Sequence, residues 1–389
     1  MKILFLLKSL EIGGLEIVTV NLANKFVAEG HDVVIWAFDK GEHAIQEGVD
    51  IRIPVLWGFG YAVNKRNVHL LQKVLLDYQI EIVINQWGLP YKPARLLKKA
   101  KCCLNIRTIT VCHSNPAVNG RIIGVDVKME VVSNVFKKLF LSVVRSLFRY
   151  VTLLSMRYVY NNSDCYIVLA DAYKHTFSEF TRIKDNAKLV SLPNPLTIDA
   201  SDYNPNICKK EKKVLYVGRL ENVAKRVHRV IEIWKHLESL FSDWELVIVG
   251  DGPEKVRLED LARQYGLKNV RFEGFKKPNE YYKKSSIQLL TSEFEGFPLV
   301  LAEASSYGVV PVVYGSFPAV YDIIDDQKNG LIVSYTEQFD AAVMAEVVGE
   351  LMKDEQKRKE MSNAAYEHSK TFAMDAVYKQ WMELFEKIR

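Results

Sequence analysis

The chain opens on five consecutive apolar residues, 3–7, a run that suits a strand covered on both faces. Gly13 and Gly14 interrupt it, and Ile17, Val18, Leu22 and Phe26 then recur at helical spacing until Gly30 supplies a stop. Residues 33–37 read as the next strand and residues 80–85 and 102–106 as further ones, with helical patterns between them. This alternation predicts a parallel sheet with helices on both faces.

Residues 191–213 break the rhythm. Pro193, Asn194, Pro195, Pro205 and Asn206 punctuate this stretch, and 209–213 form a mostly basic run, as in a linker. Alternation then restarts: apolar runs at 214–217 and 245–249 end at Gly218 and Gly250, and 270–273, 287–291 and 309–313 follow. Two doubly wound α/β domains in series are predicted, 1–192 and 193–371, with an interdomain cleft that the glycine loops line from both sides, because ligands of such sheets sit at the carboxyl ends of the strands. The tail, 372–389, repeats apolar residues at Val377, Trp381, Leu384, Phe385 and Ile388, a helix that needs a groove.

Composition agrees with a folded chain: 389 residues, 49% hydrophobic and 25% charged, which excludes a disordered or collagen-like polymer. The N-terminal apolar run is too short for a membrane span or a secretory signal, so a cytoplasmic protein is expected. Five cysteines, Cys102, Cys103, Cys112, Cys165 and Cys208, show no metal-ligand spacing and are expected to be buried thiols. Charge is uneven. Residues 1–200 carry 25 Lys and Arg against 17 Asp and Glu, and residues 201–389 carry 27 against 30. A basic first half and a mildly acidic second half suggest different partners for the two domains, with an anionic membrane or nucleic acid as candidates for the first.

Chemistry concentrates in the loops. Gly13 and Gly14 let backbone amides approach a ligand, with the positive end of a helix behind them. The spacing is not that of a nicotinamide-binding glycine loop. Arg219 follows Gly218 at a strand end and Lys225 lies six residues on, so a fork and a point charge can converge on a diphosphate. Gly250-Asp251-Gly252-Pro253 is a tight turn. In residues 293–304, Gly296 and Pro298 forbid a helix before about 298, where proline suits a helix start. Free amides at Leu299 and Val300 would face a phosphate. Glu295 precedes this helix and Glu303 lies inside it, where a carboxylate among apolar neighbours needs donors such as ribose hydroxyls.

Gly13-Gly14-x-Glu16, Gly218-Arg219-Leu220, Lys225, Gly250-Asp251-Gly252-Pro253 and Glu295-x7-Glu303, in this order, resemble the retaining nucleotide-sugar glycosyltransferases of the GT-B fold, glycosyltransferase family four. The resemblance spans the chain and is stronger in the second domain. It implies that Glu303 holds the donor ribose, that Arg219 and Lys225 neutralise the diphosphate, and that Gly14 offers its amide to a phosphate. It further implies that Glu295, with Gly296, Phe297 and the amides that follow, positions the donor sugar, that Phe275 covers the base and that His113 stands near donor sugar and acceptor. No cofactor or metal is implied, and the chain has no D-x-D motif. Pro298 and Arg226 stand where the family often has glycine, a variation that resembles a subgroup using UDP-hexoses or UDP-N-acetylhexosamines. The acceptor implied is a glycan of polysaccharide, lipopolysaccharide or glycolipid synthesis, and the tail helix is implied to cross back onto the first domain.

Residues 131–163 contain Lys137, Lys138, Arg145, Arg149 and Arg157 and no acid, interleaved with apolar residues. At about 100° per residue, Lys138, Arg145, Arg149 and Arg157 fall within roughly a third of the helix circumference. A basic stripe beside an apolar face suits the inner leaflet of a membrane, and equally a core helix with a solvated cationic edge. The aromatic residues lie on the apolar side, which disfavours nucleic acid. A non-catalytic nucleotide-sugar-binding scaffold, a GT-B-fold UDP-sugar epimerase and a nicotinamide oxidoreductase remain as alternatives.

Overall fold

The computed structural model describes residues 1–11, 13–41, 48–102, 104–205 and 208–388. They form two compact units, Met1–Thr197 with Met374–Arg389, and Ile198–Ala373.

The first unit runs β1 (Lys2–Leu7), α1 (Gly14–Ala28), β2 (Asp32–Ala37), β3 (Val55–Trp57), α2 (Lys65–Asp77), β4 (Ile82–Asn85), α3 (Tyr91–Ala100), β5 (Arg107–Cys112), α4 (Gly120–Val131), α5 (Val135–Asn161), β6 (Cys165–Val168), α6 (Ala172–Thr181) and β7 (Leu189–Ser191). Its seven strands are all parallel, in the order β3-β2-β1-β4-β5-β6-β7. Successive residues of β1 serve opposite faces: Leu4 and Leu6 join Trp36, Leu71 and Leu97 on one side, while Phe5 stacks on Phe26 of α1 on the other.

The second unit runs β8 (Lys213–Val217), α7 (His228–Leu237), β9 (Glu245–Val249), α8 (Lys255–Gln264), β10 (Val270–Gly274), α9 (Asn279–Lys284), β11 (Ile287–Leu290), α10 (Leu299–Ser306), β12 (Val310–Gly315), α11 (Val320–Ile323), β13 (Leu331–Ser334), α12 (Ala341–Lys353) and α13 (Glu355–Ser369). Its six parallel strands follow the order β10-β9-β8-β11-β12-β13. Val214, Ile248 and Leu289 face α7 and α12, and Leu215, Val217 and Val249 face Tyr282, Ala304 and Tyr307. After a single helical turn, Lys370–Phe372, the chain returns to the first unit as α14 (Met374–Ile388). Val377, Trp381, Leu384 and Phe385 are buried there, with Trp381 and Phe385 against Phe26.

Several expectations are corrected. The strand expected over 102–106 lies instead at Arg107–Cys112, where Ile109 pairs with Ile84 and Cys165. Its buried Thr108 and Thr110 break the apolar run, yet their β-branched side chains suit a pleated strand. Cys112 and Cys165 are buried as expected, but Cys102, in the turn after α3, and Cys208, beyond the first unit, are exposed; Cys103 lies outside the described residues. The basic stretch is one helix: the chain breaks after Val131, Asn134 accepts from the Lys137 amide to start α5, and all five cations lie on α5.

Candidate functional site

In the second unit the strand order reverses between β8 and β11. The segments leaving these two strands turn to helices on opposite faces and open a crevice at the strand ends, where such sheets bind ligands. Glu221 organises the first segment. Its Oε2 accepts from the Val223 amide at 2.9 Å, and its Oε1 accepts from the amides of Ala224 (2.9 Å) and Lys225 (2.8 Å). This turn carries Lys225 to the second segment, where its Nζ donates to Glu295 Oε1 at 2.6 Å. The same oxygen accepts from Ser292 Oγ at 2.7 Å.

The two segments are tied further by the Glu293 amide, which donates to the Ala224 carbonyl at 2.7 Å, and by Arg229, which pairs with Glu293 at 2.8 Å and donates to the Thr291 carbonyl. Arg226 adopts φ +48°. That conformation costs a side-chain-bearing residue about 1–2 kcal/mol and is where glycine fits without strain.

Arg219 is exposed on the first segment. Its loop is held from below by the turn at residues 250–253: the Leu220 amide donates to the Asp251 carbonyl at 2.9 Å, and the Leu220 carbonyl lies where a Cβ on Gly252 would stand. Gly252, at φ +159°, is therefore required by close backbone approach, and the turn acts as a support for Arg219.

Glu303 is the fifth residue of α10 and is only 6% exposed. Tyr282 Oη donates to its Oε2 at 3.3 Å, and burial pushes the Tyr282 phenol well above its usual pKa, so it stays a donor. Two assignments around this helix change. Phe297 is buried edge-on against Phe372, a core ring. The Leu299 amide is taken by the Phe297 carbonyl at 2.8 Å and the Leu301 amide by Pro298, which leaves Val300 as the first-turn amide that neither carbonyl takes. Pro298 caps the helix rather than opening it, and Phe275, just past β10, is 82% exposed.

In the first unit, Gly13 caps α1 in extended conformation and its carbonyl accepts the Ile17 amide. Glu16 Oε2 occupies the space a Cβ on Gly13 would need, and burial pushes its carboxyl pKa up. Gly14, the first residue of α1, is exposed. His113, just past β5, donates from Nε2 to Gln86 Oε1 at 2.5 Å, and burial pushes its pKa down to about 3. His113 Nδ1, Gln86 Nε2, Trp87 Nε1 and Tyr61 Oη are all buried without a hydrogen-bond partner. Lys8 Nζ lies 5.6 Å from the Trp87 ring and 5.9 Å from the Tyr61 ring. Unpaired buried polar atoms are costly, which sets this group apart from an ordinary core.

The basic stripe of α5 does not face one way. Arg145 pairs with Asp126 of α4, Arg149 lies over Phe180, and Arg157 donates to the Arg182 carbonyl at 3.3 Å, while Lys137 and Lys138 are exposed. Among the described residues no group of three His, Cys, Asp or Glu is placed to hold a metal. Sequence reasoning missed Glu221, Ser292, Tyr282, Tyr61, Gln86 and Trp87. Glu221, four residues before Lys225, is the one with a local signal, because a carboxylate at that offset can cap its own turn.

This arrangement, two Rossmann-like sheets with a cation–carboxylate pair at a switch point of the second and a buried glutamate in the helix that follows, is that of a GT-B glycosyltransferase. The chain belongs to the family-four type: the family description "Glycosyl transferases group 1" matches residues 198–368 and "Glycosyltransferase Family 4" matches residues 12–199. It is 33% identical to the amylovoran biosynthesis glycosyltransferase AmsD of Erwinia amylovora over 180 residues, 45% of this chain and 48% of that protein. It is 26% identical, over 100% of this chain and 99% of the relative, to an alpha-1,4-N-acetyl-D-galactosaminyltransferase of Campylobacter jejuni named for a diNAcBac-PP-undecaprenol acceptor. The fold is that of HepE from Anabaena in complex with UDP, at TM-score 0.75 and 17% identity with both chains covered completely.

Proposed function

We propose that the protein is a retaining, metal-independent glycosyltransferase that moves a hexose or N-acetylhexosamine from a UDP-linked donor to a hydroxyl of a lipid-borne glycan, in polysaccharide, lipopolysaccharide or glycolipid synthesis. The interlock of Lys225, Glu295 and Ser292 at the mouth of the second sheet, with Glu303 buried in α10, carries this assignment. UDP in the HepE complex supports the donor, and the names of the Campylobacter relative and of a lipopolysaccharide 1,6-galactosyltransferase of Salmonella typhimurium support the acceptor.

Glu303 accepts both ribose hydroxyls, with Tyr282 fixing its other lone pairs. Arg219 and Lys225 meet the charge that grows on the departing diphosphate. As Lys225 turns to the phosphate, Glu295 is released to accept donor-sugar hydroxyls. The acceptor hydroxyl attacks from the face the diphosphate leaves, and a leaving-phosphate oxygen takes its proton, so no protein nucleophile is assigned. The orphaned polar atoms around His113 and Trp87 take acceptor hydroxyls. The exposed apolar face of α5 rests on the inner leaflet of the membrane.

Melting curves with UDP, GDP, ADP and NAD in excess EDTA test the donor site, since a ligand of the folded state raises the melting temperature. A rise with UDP that Glu303→Gln abolishes is expected. A rise with NAD alone replaces the transferase assignment. A rise with UDP only after divalent metal is added overturns metal independence. The anomeric configuration of the product, read by NMR, tests retention.

A further inference from the structure

Along α5, nine apolar side chains stand open to solvent, among them Phe136 (83% exposed), Leu139, Phe140, Val143, Leu147 and Leu154. The helix is long and apolar enough to cross a bilayer. Arg145 and Arg149 near its middle, both engaged with neighbouring helices of the unit, argue for lying in the interface instead. All five charged residues of α5 are cations. A second copy docked on this face would oppose like charges, whereas an anionic leaflet complements them.

Beside this face, turned roughly 75° around the helix at 100° per residue, a groove of about 480 Å³ opens between α5 and α6. Three guanidiniums line it: Arg149, Arg157 and Arg182. Ser146, Thr176 and Tyr150 add hydroxyls, and Glu179 is the one acidic residue in the lining. Two of the three forks are already engaged within the protein. Arg149 is held over the Phe180 ring at 5.0 Å, and Arg157 is tethered to the Arg182 carbonyl. Arg182 ends α6 in the left-handed region at φ +55°, a strained conformation for a residue with a side chain. Tyr150 belongs both to the groove and to the exposed apolar face. With that face on a membrane, the groove opens at the level of lipid phosphates.

We infer that the groove of Arg149, Arg157 and Arg182 binds the diphosphate through which a lipid carrier holds the acceptor glycan. The inference rests on the proposed lipid-borne acceptor and deepens it. Arginine forks pair bidentately with phosphate oxygens, so three of them distinguish a diphosphate from the single phosphate of a bulk lipid headgroup. The groove thereby selects the acceptor by its anchor, independently of the sugar at its far end.

The test is flotation of the full chain with three vesicle types: phosphatidylcholine alone, phosphatidylcholine with phosphatidylglycerol, and phosphatidylcholine with a long-chain prenyl diphosphate at matched surface charge. The wild type is expected to prefer the prenyl diphosphate vesicles by about 10-fold or more over the phosphatidylglycerol ones, as two charge-assisted bonds would give. Arg149→Gln with Arg157→Gln should abolish the preference, and inorganic pyrophosphate should compete with it. Arg182→Gln, at an exposed helix end, should reduce the preference on its own and serves if the double variant does not fold. Equal binding of the two anionic vesicle types by the wild type, or an intact preference in the variants, overturns the inference. So does a concentration-dependent dimer that blocks vesicle binding. Melting with UDP on the same samples separates the failures: a UDP response without the vesicle preference removes the groove assignment alone, and a preference without a UDP response upholds the groove and removes the donor assignment.

Discussion

Glu303 and Tyr282 show how a buried acidic side chain is accommodated: Glu303 is almost wholly enclosed in α10 and the phenol that donates to it is too buried to ionise. Glu303→Gln keeps the volume but loses the charge, so the KM for the nucleotide sugar should rise about 10- to 100-fold, the range for a charge-assisted hydrogen bond. Tyr282→Phe should raise it less and leave kcat within a few-fold. Lys225→Met should instead lower kcat about 100- to 1,000-fold with little change in UDP affinity, because its charge is needed most when the diphosphate departs. Steady-state kinetics on the three variants separate these roles. His113 gives a pH signature. Its folded pKa of about 3 lies below the unfolded value of about 6.5, so the unfolded chain binds the extra proton between them. Stability should therefore fall as pH drops below about 6.5, and His113→Gln should flatten that slope in a series of melting curves. Glu295, Glu303, Arg219 and Lys225 were legible as residue types at meaningful spacings. Their partners were not: Ser292 and Glu221 are ordinary polar residues, and the ion pair joins positions 70 apart in the chain.

At the scale of elements, the strand–helix alternation in the sequence defines both sheets, because strands buried on two faces leave continuous apolar runs. It fails where a strand mixes buried threonines with apolar residues, as in β5, and where a helix keeps its apolar side uncovered, as in α5. Periodicity cannot tell a face that meets protein from one that meets something else. The support that residues 250–253 give the Arg219 loop was equally hidden, since a glycine turn reads alike whether or not another backbone lies against it. Gly252→Ala should cost about 1–3 kcal/mol, the range for backbone strain, and should weaken donor binding as Leu220 and Arg219 are displaced. Denaturant midpoints and the donor KM, measured together, would show both effects.

For the whole molecule, the two units are unlike in chain order. Ile198–Ala373 is one continuous segment, whereas the other unit joins Met1–Thr197 to Met374–Arg389. The apolar spacing of the tail announced a helix that needs a groove, and Phe26, stacked on Phe5 of β1, is where Trp381 and Phe385 settle. Trp381→Ala should destabilise the first unit by about 3–5 kcal/mol, as for other large-to-small core changes. The second unit should be little affected, so its UDP response should survive in calorimetry.

The returning helix also bears on the order of events at the ribosome. Synthesis is directional, and the piece that covers Phe26 is translated after every residue of the second unit. The first unit thus waits with an aromatic face bare while its neighbour is made and folded. A nascent chain halted before α14 should bind hydrophobic-seeking chaperones at this face and be cut there by protease, and should lose both traits once those last turns emerge.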